Sequence, residues 1–276
     1  MLSDAQRTFF TTFGFLCLPQ ALARDITWIQ DEFEAVWKAR PDIVHDGSAR
    51  TTFPASFITA NPRLSTLVDH PVVVGALDDL LGEGWSSYGG DGNFYAGDTG
   101  WHSDVHPNTW QAKTTTPHIK VAFYLDPLTR DTGALRVIPG SHHFGDRFSQ
   151  LLQEQVHGDE SGPLGVHGRD VPALALDNTP GDLMIFDHRT KHAAYGGGKR
   201  RRMFTINNFA PCRTPEQADA AREVMRIYRD QEKVNWTAGP GWLDWIATLS
   251  ERGRFHHEQT VRFGHELMNE LASAAS

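Results

Sequence analysis

The feature that most constrains this chain is the texture of its middle. Between Trp85 and Pro211, short runs rich in β-branched and aromatic residues follow one another: "HIKVAFYLDP", "GALRVIPGS", "GDLMIFD" and "RRMFTINNFAP". Each is closed off by Gly, Pro, Asp or Asn, which marks strands rather than helices. A doubly wound parallel sheet needs a long crossover, usually a helix, between consecutive strands. That pattern is missing, so the expectation is an antiparallel sandwich or jelly roll. One segment, "SQLLQEQVHGDESGPLGVHGRD", interrupts the strands with a charged, Gly-rich middle and is a candidate loop or lid over a site.

The flanks carry helical periodicity instead. Ser3 can cap a helix that Gly14 ends, just before the strand-like "FLCLP". Ile26, Ile29, Phe33, Val36 and Trp37 recur at intervals of three and four, which predicts a helix over about Leu22 to Trp37. A further helix is expected over Pro71 to Leu81, with proline in its first turn. After Pro211, Thr214-Pro215 opens a helix with Ala218, Ala221, Val224, Met225 and Tyr228 on one face, and "GPGWLDWIATL" and "HHEQTVRFGHELMNELA" read as two more. The expected organisation is one domain: helical entry 1–84, β core 85–211 and helical exit 212–276.

Charge and cysteine content narrow the function classes. With 26 Lys and Arg against 34 Asp and Glu, a net charge of -8 disfavours a general basic field, so no nucleic-acid partner is expected. It also argues against a bulky anionic substrate such as an acyl-CoA. Cys17 and Cys212 lie far apart without a partner motif, which gives no thiolate metal site and suits a reducing compartment. Asp4 and Arg7 interrupt the apolar run that an export signal would need. Apolar stretches elsewhere fall short of the roughly 20 residues of a membrane span. A cytoplasmic protein without membrane contact is expected.

Chemistry concentrates in "GWHSDVHPNTW", Gly100 to Trp110. On a strand, side chains two apart share a face, so His102 and Asp104 can reach one ion while Ser103 points away. This is half of the two-His-one-carboxylate triad that leaves three positions open on Fe(II); a solvated surface turn is the competing reading. A partner must come from far along the chain, and "PGDLMIFDHRTKHAAYGGGKRRRMFTINNF" offers His188 and His192 after an apolar strand. Ten residues beyond His192 stands Arg202, whose guanidinium could pair with a carboxylate held inside a barrel. Along a strand Arg200 and Arg202 share a side that Arg201 leaves. His142 and His143 follow a turn and read as structural.

Taken together, "FFTTFGFLCLP", "WHSD", "HIKVAFYLDPLTRDTGALRVIPGSHH" and the His192–Arg202 segment resemble the phytanoyl-CoA dioxygenase family of iron(II)- and 2-oxoglutarate-dependent oxygenases. The resemblance runs from about Phe9 to Phe209 and leaves the last 65 or so residues uncovered. It implies a mainly β fold with flanking helices, a double-stranded β-helix or cupin-like jelly roll. It implies that His102, Asp104 and His192 bind Fe(II), and that Arg202 holds the distal carboxylate of 2-oxoglutarate, with Arg200 and Arg201 as alternatives. Lys120 and Asn93 are further candidates for cosubstrate binding, and Tyr95, His106 and Trp110 for the substrate pocket; His106 also reads as a residue that leaves the cluster at Pro107. The implied activity is O₂-dependent hydroxylation, or a related oxidation, of a small amino-acid-like compound or specialised metabolite, with release of succinate and CO₂. Asp104 fills the position that related halogenases leave to chloride. The chain departs from the family at Ala193-Ala194, where Gly-Ser is common, so a hydroxyl that assists cosubstrate binding must come from elsewhere. Two other readings stay open: a jelly-roll metalloenzyme that does not use 2-oxoglutarate, such as an isomerase or cofactor-independent oxygenase, and a non-catalytic small-molecule binding module.

Overall fold

The computed structural model describes residues 1–54, 56–104, 115–159, 164–227 and 242–274. Helix α1 (Asp4–Phe13) begins with a capping box between Ser3 and Gln6 and ends at Gly14, and strand β1 (Phe15–Leu18) follows at once. Helix α2 (Ile26–Lys38) buries Ile29, Phe33, Val36 and Trp37. It starts four residues later than its periodicity suggests, because the Leu22 amide is taken by the carbonyl of Gly181 and the chain turns there before the helix begins. A single helical turn, α3 (Pro62–Ser65), precedes α4 (Pro71–Leu81), whose bounds match the expectation.

The strands form two antiparallel sheets. The larger contains β1, β2 (Thr51–Thr52), β3 (Ser86–Ser87), β4 (Gly92–Tyr95), β6 (His118–Tyr124), β9 (Leu183–Asp187) and β11 (Arg201–Phe209), in the order β1-β9-β6-β11-β4-β2 with β3 also on β11. The smaller runs β5 (Thr99–His102), β10 (His192–Ala194), β7 (Leu135–Val137), β8 (Leu174–Leu176). Period-two alternation assigns each face of the larger sheet a different task. Ile119, Val121, Phe123, Leu183, Ile185, Phe204 and Ile206 pack with Phe33, Trp37 and Leu77 of the helical layer. Ala122, Met184, Phe186 and Met203 point the other way and meet Leu135, Val137 and Leu176 of the smaller sheet. The two facing sheets with helices outside make the jelly roll.

Helix α5 (Arg147–Gln155) belongs to the interrupting segment and seats Leu152 beside Trp101, Ile138 and Ala193 on the outer face of the smaller sheet. Helices α6 (Pro215–Ile227), α7 (Trp242–Thr248), α8 (Glu251–Phe255) and α9 (Glu258–Ala274) form the C-terminal part. It docks through Ala221, Val224, Met225, Phe263 and Leu267 on Tyr88 and Phe209, and through His256 stacked on Trp85 at 3.8 Å. No described helix is long and apolar enough to cross a membrane.

Candidate metal centre and its cavity

Strands β5 and β10 lie side by side, and their register sets His102 directly opposite His192 with ring centroids 4.2 Å apart. Both imidazoles are oriented by the backbone: Nδ1 of His102 meets the Gly100 carbonyl at 2.8 Å and Nδ1 of His192 meets the Thr190 carbonyl at 2.9 Å. A carbonyl can only accept, so each Nδ1 carries the proton and each Nε2 keeps its lone pair. Asp104 lies just past the end of β5, its amide bonded to the carbonyl of His188 at 2.8 Å. One ligand atom from each of His102, Asp104 and His192 falls within a 4.8 Å cluster. His188, the rival candidate, is buried next to His118 and stands outside that cluster.

Electrostatics put the three groups in the protonation state that a metal requires. Burial, reinforced by His102, pushes His192 down to about 3, against the pull of Asp104. Burial likewise lowers His102, again opposed by Asp104. For Asp104 burial pushes upward, but the Lys120 ammonium beside it leads the groups that outweigh burial and hold the carboxyl well below its ordinary range. Two neutral imidazoles and a carboxylate, each offering one atom to a shared point, fit a divalent ion with open positions.

The cluster opens into a cavity of about 90 Å³ between the two sheets. Lys120 points inward and places Nζ 3.0 Å from Asp104 Oδ2. Tyr95 also lines the cavity, and burial followed by Asp91 raises its phenol, which stays protonated. His106 and Trp110 lie outside the described residues.

Two expected positions are corrected. Arg202 faces away from the cavity, onto the helical layer, where it pairs with Asp126 at 2.6 Å and Glu34 at 3.1 Å. The inward arginine is Arg201, which lines the cavity, is 6 % exposed and lies opposite Tyr95 in the β4–β11 register. The alternation of faces is as expected, since Arg200 shares Glu34 with Arg202, but its phase is set by Met203, which packs between the sheets. Arg201 donates Nη1 to the Gly133 carbonyl at 2.8 Å and Nη2 to that of Gly97, while Nε has no partner. Among the described residues it has no ion pair. Its guanidinium needs glycine around it: a Cβ on Gly133 or Gly197 would come within 2.6 Å and 2.5 Å of its atoms. Asn93 shares the inward face but does not reach the cavity, because its amide is engaged by Thr52 at 2.7 Å and Asp91 at 2.5 Å.

Several lining residues escaped sequence reasoning. Asp91 sits two and four residues before Asn93 and Tyr95, so strand alternation could have found it. Tyr124 was reachable in the same way from Lys120. Arg50, beside Tyr95 with its guanidinium carbon 5.5 Å from the ring centre, stands in the helical entry next to a two-residue strand and had no local signal. His142 and His143 bond the Thr11 and Thr12 carbonyls at the end of α1, a structural role.

A family model described as phytanoyl-CoA dioxygenase (PhyH) matches residues 10–203. Among solved structures, the chain is similar to the non-heme alpha ketoglutarate dependent carbocyclase SnoK from nogalamycin biosynthesis, at 19 % identity over 76 % of this chain and 84 % of that one, with a TM-score of 0.56. It is similar to HygX from Streptomyces hygroscopicus with nickel and 2-oxoglutarate bound, at 16 % identity over 78 % and 89 %, with a TM-score of 0.61. It is also similar to EctD from S. alaskensis with bound Fe, at 21 % identity over 75 % and 76 %, with a TM-score of 0.53. At these identities the structures speak for the fold. No curated protein matches the chain.

Proposed function

The chain belongs to the phytanoyl-CoA dioxygenase family, and from that premise we propose that it is an iron(II)- and 2-oxoglutarate-dependent oxygenase that hydroxylates a small molecule. The observation that carries this reading is the pairing, in one cavity, of the His102–Asp104–His192 cluster with the buried Arg201 guanidinium, which has no ion pair among the described residues. A dicarboxylate bound to a metal at one end needs such a counter-charge at the other. Iron(II) held by the three side chains supplies O₂ activation coupled to decarboxylation of 2-oxoglutarate to succinate and CO₂.

The protein's own residues do the rest. His102 and His192 present fixed lone pairs, and Lys120 keeps the Asp104 carboxylate ionised and oriented. Of the donors on Arg201, one N–H of Nη1 and one of Nη2 are used by the carbonyls of Gly133 and Gly97 and Nε is buried, so the second N–H of each Nη is left for a carboxylate. Thr99, cross-strand partner of Ala194 and also on the cavity wall, supplies the hydroxyl that Ala194 lacks. Tyr95, Tyr124 and Arg50 add hydrogen-bonding groups to the cavity wall, and a small enclosed space with such groups suits an amino-acid-like compound or specialised metabolite better than a long acyl chain.

The test is succinate formation by anaerobically prepared protein given Fe(II) and 2-oxoglutarate, then O₂, with Asp104→Ala as control. Turnover in the parent and none in the variant supports the assignment. Absence of both succinate and the visible charge-transfer band of the iron–2-oxoglutarate complex overturns it.

A further inference from the structure

The sheet fixes two of the three ligands but not the third. His102 and His192 face each other across a β ladder, whereas Asp104 lies beyond the end of β5, and the turn that leads into His192, residues 188–191, lies between strands. The turn is tied to the rest of the fold, since the His188 amide bonds the His118 carbonyl, Thr190 Oγ1 the Gly14 carbonyl and the Lys191 amide Ser141 Oγ. The segment that needs placing is therefore the one that carries Asp104; a metal site needs its ligands within about half an ångström.

One side chain spans these two segments. Gln153, near the end of α5 and 7 % exposed, accepts from Ser103 Oγ through Oε1 at 2.8 Å and donates from Nε2 to the Arg189 carbonyl at 2.8 Å. Ser103 stands between two ligands, and Arg189 is three residues before the other. A single carboxamide therefore uses its acceptor on one ligand segment and its donor on the other. The two segments also meet directly, through the Asp104 amide and the His188 carbonyl, so the bridge reinforces an existing contact.

The helix that carries Gln153 is itself anchored. Asp146 caps it, Leu152 and Val156 are fully buried among Trp101, Ile138 and Ala193, and the chain beyond it exchanges two backbone hydrogen bonds between Gly158 and Trp101, at 2.8 and 2.9 Å. That approach is close enough that a Cβ on Gly100 would lie 2.5 Å from Gly158. The interrupting segment thus extends the edge strand that bears His102, and Gln153 is its polar point of attachment.

We propose that Gln153 is a positioning residue for the metal centre: its amide sets the placement of Asp104 relative to His192. This rests on the metal site proposed above. It predicts that Gln153→Met, which keeps length but removes both hydrogen bonds, weakens metal binding by about 10–100-fold, the usual effect of losing an outer partner.

The experiment titrates Mn(II) into metal-free protein under argon, following free Mn(II) by electron paramagnetic resonance, with thermal melting of each metal-free variant. Parent, Gln153→Met, Ser103→Ala, the double variant and Leu152→Ala are compared. The expected result is weaker Mn(II) binding in Gln153→Met and Ser103→Ala, with the double variant no weaker than Gln153→Met, since both act through one bridge. Mn(II) affinity in Gln153→Met within twofold of the parent overturns the proposal. So does a loss that Leu152→Ala reproduces at equal loss of melting temperature, because the effect is then packing alone. If the parent itself fails to bind Mn(II), the metal site is wrong and the proposal falls with it; that outcome is distinct from a parent that binds and a variant that binds equally well.

Discussion

Two adjacent arginines, one facing in and one facing out, allow a sharp test of the site. Arg201→Gln removes the buried guanidinium that faces the cavity. A carboxylate on its remaining donors would form two charge-assisted hydrogen bonds, and losing both costs about 3 kcal/mol after allowance for non-additivity, or roughly a hundredfold in 2-oxoglutarate affinity. Arg202→Gln removes the pair with Asp126, whose partners are 19 % and 22 % exposed, and the more solvated pair with Glu34. That costs about 1 kcal/mol of stability and leaves 2-oxoglutarate binding within about twofold. The assay is anaerobic titration of Fe(II)-loaded protein with 2-oxoglutarate, read by charge-transfer absorbance, beside thermal melting. A hundredfold loss in Arg202→Gln with none in Arg201→Gln would refute the assignment of faces. Equal losses in both would refute the claim that the two side chains have separate roles.

Other outcomes follow from the same geometry. Asp104→Ala is expected to lose metal binding, seen as flat Mn(II) titration, while keeping a folded far-ultraviolet dichroism spectrum. Phe204→Ala removes a fully buried ring stacked on Phe123 at 4.5 Å and should cost about 3–5 kcal/mol in denaturant unfolding; a loss under 1 kcal/mol would mean that the helical layer is not seated there. His257 is fully buried, and burial lowers it from its ordinary value to about 4 despite the Gly253 carbonyl on its Nδ1. A base whose folded value is depressed binds fewer protons folded than unfolded, so its contribution is complete above about pH 6.5 and lost as pH falls toward 4, a span of about 3 kcal/mol. Unfolding free energy measured from pH 7 to 4 should fall less steeply in His257→Asn than in the parent; identical slopes would rule out this contribution.

How much of this was legible beforehand depends on the range of the interaction involved. The strands of the core were readable because alternation and turn residues are local, and Ser3, Gly14 and Pro71 announced their helix ends for the same reason. His102 and Asp104 were visible as a pair because their spacing equals the strand period, whereas the choice of His192 over His188 came from the family resemblance. The sequence also determined that the arginine run would alternate between two faces. It could not determine which arginine faced inward, because that phase depends on Met203 packing between sheets and on Gly133, from a distant loop, and Gly197, from the preceding turn, clearing space at Arg201. Arg50 and Gln153 had no signal of their own: one reaches the cavity from beside a two-residue edge strand, the other from a helix that joins two segments 86 residues apart in number, Ser103 and Arg189. Periodicity is written along the chain, whereas contact across a barrel is decided only when the two sheets close on each other, since that closure alone fixes which side chains share the space between them.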